Sequence, residues 1–145
     1  MLTAIDRTTA DGRRDYALLA TMFNTGARVQ EIITVRVLDV RLETPPHVRL
    51  FGKGRKERVC PLWPQTAEIL RTLLAERTES PLPEDPLFRN HRGSRLTRFG
   101  IRYILRKHCA GAQAARPALA GKRLHPHGMR HYLPFLTMFC IRARV

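Results

Sequence analysis

Three short stretches of this 145-residue chain place cationic side chains where they could hold an anion and move a proton. In TGARVQE, residues 25–31, Gly26 permits a tight bend between two helices and sets Arg28 at a helix start. The guanidinium and the free backbone N–H groups there could converge on one anion, with Glu31 one turn later holding the guanidinium in place. In GKGRKER, residues 52–58, Lys53 stands at a glycine-flanked hairpin tip, suited to reach a groove or to protonate a leaving oxygen. In HPHGMRH, residues 125–131, His127 and Arg130 lie one helical turn apart with His131 adjacent. An imidazole relays protons near neutral pH, and an arginine fork grips two phosphate oxygens.

Each stretch also has a plainer reading. Arg28 with Glu31 at i+3 is the pattern of a solvated surface pair, and a basic turn need only touch phosphate or water. The Lys53 stretch lacks the GxxxxGK[ST] pattern of a P-loop. His127 and His131 have the i, i+4 spacing of zinc ligands, but the HExxH glutamate is missing and Arg130 would set a positive charge beside the metal. No metal and no small-molecule cofactor are expected.

The elements that must position these residues follow from periodicity. Asp11 stands as N-cap to a helix through GRRDYALLATMFNTG, with Tyr16, Leu19, Ala20 and Phe23 on one face and Gly26 as its end. A second helix begins near Arg28 and carries Ile32, Ile33 and Val35. HVRLF and ERVCPL read as two strands joined by GKGRK. Pro64 opens a helix with Ile69, Leu70, Leu73 and Leu74 as its apolar stripe. After the proline-rich loop TESPLPEDP, Thr97 caps RFGIRYILRKHCAG, with Phe99, Ile101, Ile104 and Leu105 inward and Arg98, Arg102, Arg106 and Lys107 on the polar face. Tyr16 and Tyr103 read as core, and Pro126 opens a last helix. The predicted class is α+β, mainly α-helical with a small antiparallel hairpin or sheet, in one domain.

Charge decides the partner class. The chain carries a net +14, and all 12 acids lie at or before Asp85. The last 60 residues hold 13 Lys and Arg and no acid, the footprint of a polyanion partner, with nucleic acid the leading candidate. Arg55, Lys56, Arg95, Arg98 and Arg102 are the candidate contacts to it. The longest apolar run, YLPFLTMFCI at 132–141, is too short to span a bilayer, and no secretory signal opens the chain. Cys60, Cys109 and Cys140 suggest neither a disulfide framework nor a zinc ribbon. The expected location is cytoplasmic, on the nucleoid in a bacterium.

The order of the three motifs resembles the catalytic domain of the tyrosine recombinase, or phage integrase, family. There a TGxRxxE arginine, a GKG lysine and an HxxRH histidine and arginine surround one scissile phosphate. The resemblance implies that Arg28 and Arg130 grip the non-bridging oxygens, Lys53 protonates the leaving 5′ oxygen and His127 assists proton transfer. Glu31 and His131 support them. It covers residues 6–131 and includes the trailing KERVCPL. In that family a tyrosine hydroxyl attacks phosphorus to give a 3′-phosphotyrosyl intermediate, which a second DNA end reverses.

Two family parts have no counterpart here. The catalytic pattern begins almost at Met1, so the N-terminal core-binding domain is expected to be absent. The family's tyrosine lies roughly 30 residues beyond the HxxR arginine, whereas this chain runs 15 residues past Arg130. Tyr132 stands only two residues on, and Pro134 removes an N–H at about 3 kcal/mol or more if it is inside a helix. Residues 132–145 therefore read as a divergent tail, and the whole as a partial catalytic domain, a relic of a mobile-element integrase. The expected function is a DNA-binding fragment of a recombinase that does not cleave by itself, with other recombinase subunits as possible partners. The alternatives are a pseudogene product without activity, an enzyme receiving its tyrosine from a neighbouring subunit, and a basic structural protein. The last would not need the Arg, Lys, HxxR order.

Overall fold

The computed structural model describes residues 2–115. Helix α1, Ala10–Thr25, is buried on nearly every side: Ala17, Leu18 and Leu19 have no exposed surface, and Thr21 and Met22 almost none. Its two buried hydroxyls stay satisfied within the helix, Thr21 donating to the Ala17 carbonyl at 2.8 Å and Thr25 to the Thr21 carbonyl at 2.7 Å. The N-cap is Thr9, whose Oγ1 accepts from the Gly12 N–H at 3.0 Å. Asp11, expected there, lies inside the first turn. It pairs with Arg14 at 2.8 Å and keeps its negative charge at the favourable end of the helix. Gly26 ends the helix as expected, with φ 62° and its N–H on the Met22 carbonyl at 2.9 Å.

Helix α2, Val29–Thr34, follows at once. It buries Ile32, and Val35 just beyond it, against the sheet. That sheet has three antiparallel strands in sequence order: β1, Val40–Arg41; β2, His47–Phe51; and β3, Glu57–Pro61. The hairpin of β2 and β3 is the one expected. The two-residue β1 is an addition, too short to leave a periodic signal. In β2, Val48 and Leu50 face inward, with His47, Arg49 and Phe51 half-buried between them.

Helix α3, Pro64–Ala75, has Pro64 in its first turn and packs on α1 through fully buried Leu70. The proline-rich loop after it is tied to the segment that follows α2. Val37 N–H donates to the Asp85 carbonyl, Leu38 N–H to that of Pro83, and Leu87 N–H to that of Val35.

Helix α4, Arg98–Ala115, is capped by Thr97, whose Oγ1 accepts from the Gly100 N–H at 3.0 Å. Ile101, Ile104, Leu105, His108 and Ala112 form its buried stripe. Phe99, expected inward, is 78% exposed, and Tyr103, expected in the core, is 67% exposed. The helical phase explains both: once Ile101 and Leu105 set the inward face, residues 99 and 103 fall about 200° away on the outer one. Tyr16 is half-buried, with the Arg7 guanidinium 4.7 Å above its ring. Burial pushes the Cys109 thiol's pKa up. No helix among the described residues is long and apolar enough to cross a membrane.

Candidate functional site

Arg28 sits in the bend between α1 and α2, with extended backbone (φ −74°, ψ 154°) and a side chain that is 52% exposed. Its backbone N–H, expected to be open to a bound anion, is taken by a side chain of the same helix. It donates to Glu31 Oε2 at 2.8 Å, so the acid three residues on caps the short helix. Glu31 Oε1 is 3.9 Å from Arg28 Nη1, a loose ion pair that leaves the guanidinium turned outward.

Glu31 itself is buried, and a buried carboxylate needs close partners. Its closest cation is Arg58, with Nη2 at 2.8 Å from Oε2. Arg58 Nη1 also donates to the Thr25 carbonyl at 3.1 Å and to Cys60 Sγ at 3.4 Å. In the sequence Arg58 stands out only as part of the strand ERVCPL. A signal was present: Arg58, Cys60 and Leu62 alternate, and Leu50 is opposite Arg58 while Val48 is opposite Cys60. An arginine in register with a buried strand face requires an acid behind the sheet.

The hairpin carrying Lys53 meets this cluster at its root. Gly52 N–H donates to the Lys56 carbonyl at 2.8 Å, and a Cβ on Gly52 would come within 3.3 Å of Glu31 Oε1. The turn itself, Lys53–Arg55, is tight and kinks at Gly54, whose φ of 75° is left-handed. It leaves Lys53 and Lys56 exposed. Arg28, Glu31 and the base of the Lys53 turn are thus brought together by Arg58 and Gly52. His127, Arg130 and His131 lie outside the described residues.

A second cationic surface adjoins the first. Arg98, at the start of α4, donates from Nη2 to Gln30 Oε1 at 3.1 Å, two residues from Arg28. Arg95, Arg98, Arg102, Arg106 and Lys107 are all exposed, and Phe99 and Tyr103 stand exposed among them. No acid occurs after Asp85, so nothing on α4 itself neutralises this face. Chemically, the arrangement offers the Arg28 fork and Lys53 for phosphate, with the α4 arginines and flat aromatic surface beside them.

Comparison with known proteins agrees with this geometry. Residues 1–135 match the phage integrase family. The chain is 43% identical over 139 residues to y4rD, a proposed integrase/recombinase of Sinorhizobium fredii, covering 95% of this chain and 50% of that protein. It is 37% identical over 134 residues to the tyrosine recombinase XerD of Staphylococcus epidermidis, covering 90% of this chain and 43% of XerD. The chain thus spans half or less of the length of these relatives. Among solved structures, the XerH site-specific recombinase in a post-cleavage complex with its palindromic difH substrate superposes with a TM-score of 0.73 at 27% identity, over 93% of this chain and 38% of that one. With a matched pattern over most of its length and a catalytic-domain fold to go with it, this chain belongs to the phage integrase family, that of the tyrosine recombinases.

Proposed function

We propose that this chain binds double-stranded DNA as a fragment of a site-specific recombinase of a mobile element, and that it does not cleave DNA by itself. In this reading Arg28 and Arg130 take the non-bridging oxygens of one phosphate. Lys53 stands by the 5′ oxygen, His127 assists its proton transfer, and Glu31 and His131 support them. Lys56, Arg55, Arg95, Arg98 and Arg102 contact the flanking backbone. The observation that carries the reading is the shared anchor of Arg28 and Lys53: one buried carboxylate, Glu31, accepts the Arg28 N–H and lies where a Cβ on Gly52, at the root of the Lys53 turn, would come within 3.3 Å of it. Isolated surface cations have no such anchor. The XerH structure, which holds difH substrate, supports DNA as the ligand class.

The electrostatic groups stabilise charge that a nucleophile must first create. Tyr16 is held against Arg7, and Tyr103 stands on the outer face of α4. No hydrogen bond or ring contact joins either to Arg28 or Lys53 among the described residues, and Tyr132 lies outside them. Cytoplasmic location and association with other recombinase subunits belong to the same proposal.

Anisotropy of a labelled duplex against salt concentration tests binding. Affinity in the micromolar range or weaker, falling steeply with salt and indifferent to sequence, is expected. A salt-insensitive or strongly sequence-selective interaction would overturn it. Denaturing gels on a nicked duplex test the second half: no covalent adduct should form. A denaturant-resistant band lost on Tyr132→Phe would make this chain a cleaving enzyme.

A further inference from the structure

We infer that Arg58 is a positioning residue that fixes Arg28 and Lys53 relative to one another, an assignment that rests on the phosphate-site reading above. Its guanidinium spans the bend that carries Arg28. On one side Nη1 takes the Thr25 carbonyl at 3.1 Å, at the end of α1 where helical carbonyls lack intrahelical partners. On the other side Nη2 takes Glu31 Oε2 at 2.8 Å, the same oxygen that accepts the Arg28 N–H. Arg58 stands on β3, five residues beyond Lys53, and a Cβ on Gly52 would come within 3.3 Å of the other oxygen of Glu31.

One rigid fork therefore joins the end of α1, the start of α2 and the strand that leads to the Lys53 turn. Lysine in its place would keep the charge but cannot direct two coplanar N–H groups to the Thr25 carbonyl and to Glu31 together. Arg58 itself is only one-fifth exposed and pointed at these partners, so it acts through Arg28 and Lys53.

The test uses orthovanadate and inorganic sulfate as phosphate probes on the full 145-residue chain, with affinities read by calorimetry. In the wild type, Arg28→Ala and Lys53→Ala should be non-additive, because both groups grip one anion. In an Arg58→Lys background the two effects should become additive, and vanadate affinity should fall about tenfold. Hydrogen exchange at the Arg28 amide should quicken in Arg58→Lys while amides within α3 hold their protection. Simple loss of stability would quicken both.

Wild-type binding that ignores both Arg28→Ala and Lys53→Ala would remove the phosphate reading and this assignment with it. A wild-type site whose coupling and Arg28 protection survive Arg58→Lys would overturn the assignment alone. Should Arg58→Lys not fold, Glu31→Gln serves in its place. It keeps an acceptor for the Arg28 N–H and removes the charge that holds Arg58, so the same loss of coupling is expected and its persistence counts against the assignment.

Discussion

His108 Nε2 lies 2.8 Å from Asp15 Oδ2, joining α4 to α1 across 93 residues of chain, with both side chains buried. Asp15 Oδ1 is held in turn by Arg14 Nη2 at 2.6 Å, so the carboxylate stands between an arginine and an imidazole. The helix that presents Arg98 and Arg102 is thereby fastened to the helix that ends at the Arg28 bend. Removing the carboxylate strands both partners. Asp15→Ala should destabilise the fold by about 3 kcal/mol or more, and His108→Ala by less, because Arg14 still pairs with Asp15. Urea unfolding at constant m-value measures both, and a loss under about 1 kcal/mol for Asp15→Ala would show that the pair does not hold the helices together.

Gly12 supplies a sharper case. A Cβ there would lie 1.7 Å from the Asp6 carbonyl oxygen, which is backbone and has no rotamer to escape through. In an open helix Gly→Ala gains about 1 kcal/mol, whereas overpacking of this kind costs about 1–3 kcal/mol. The clash should win, so Gly12→Ala is expected to lower the melting temperature. A rise would mean that the segment before α1 moves aside at no cost.

Acid sensitivity should pass through Asp85. Its carboxylate accepts the Leu82 N–H at 2.9 Å and pairs with Arg89 at 2.6 Å, and these contacts hold its pKa below the ordinary carboxylate value. A depressed folded pKa means that the unfolded chain binds the proton first. The stabilisation is therefore full above about pH 4 and drains away as pH falls through the folded value. The stability gap between wild type and Asp85→Asn should narrow on going from neutral pH to about pH 3. A gap independent of pH would show that the contacts matter only through their shape.

Local signals carried most of this architecture. Gly26, Pro64 and Thr97 each fix a helix end by their own chemistry, and alternation in HVRLF fixes a strand. What escaped depends on partners distant in sequence. Arg58 is informative only once Leu50 is known to lie opposite it, and Phe99 looks like core until Ile101 and Leu105 choose the buried face. Among the candidate site residues, the closeness of Arg28 and Glu31 was legible because they stand one helical turn apart. The use of the Arg28 N–H by Glu31, however, depends on a side-chain rotamer that spacing does not specify.

Anion recognition should distinguish fork from charge. Arg28→Lys, and Arg130→Lys by the same argument, should weaken vanadate or sulfate binding more than Arg92→Lys, since lysine keeps the charge but loses the planar pair of N–H groups. Arg92 sits exposed in the turn before α4 and serves as the control. Equal losses at all three positions would mean that no organised pocket exists.

The outer face of α4 allows a count of phosphates. If Arg98 and Arg102 each neutralise one, Arg98→Gln and Arg102→Gln should each reduce the slope of log K against log salt by about 0.9. A changed affinity with an unchanged slope would place these arginines off the DNA backbone.

The acid-free surface of α4 also gives the molecule a built-in electrical orientation. Because four cations stand exposed on α4 while every Asp and Glu belongs to the chain before it, positive charge among the described residues is weighted toward that helix. A body of that kind near a polyanion feels a torque as well as a pull, and turns to present α4 before contact is made. Each encounter would then start close to the docking pose instead of at a random attitude. Added salt would shorten the range over which that alignment acts, slowing arrival even where the final contacts are unchanged.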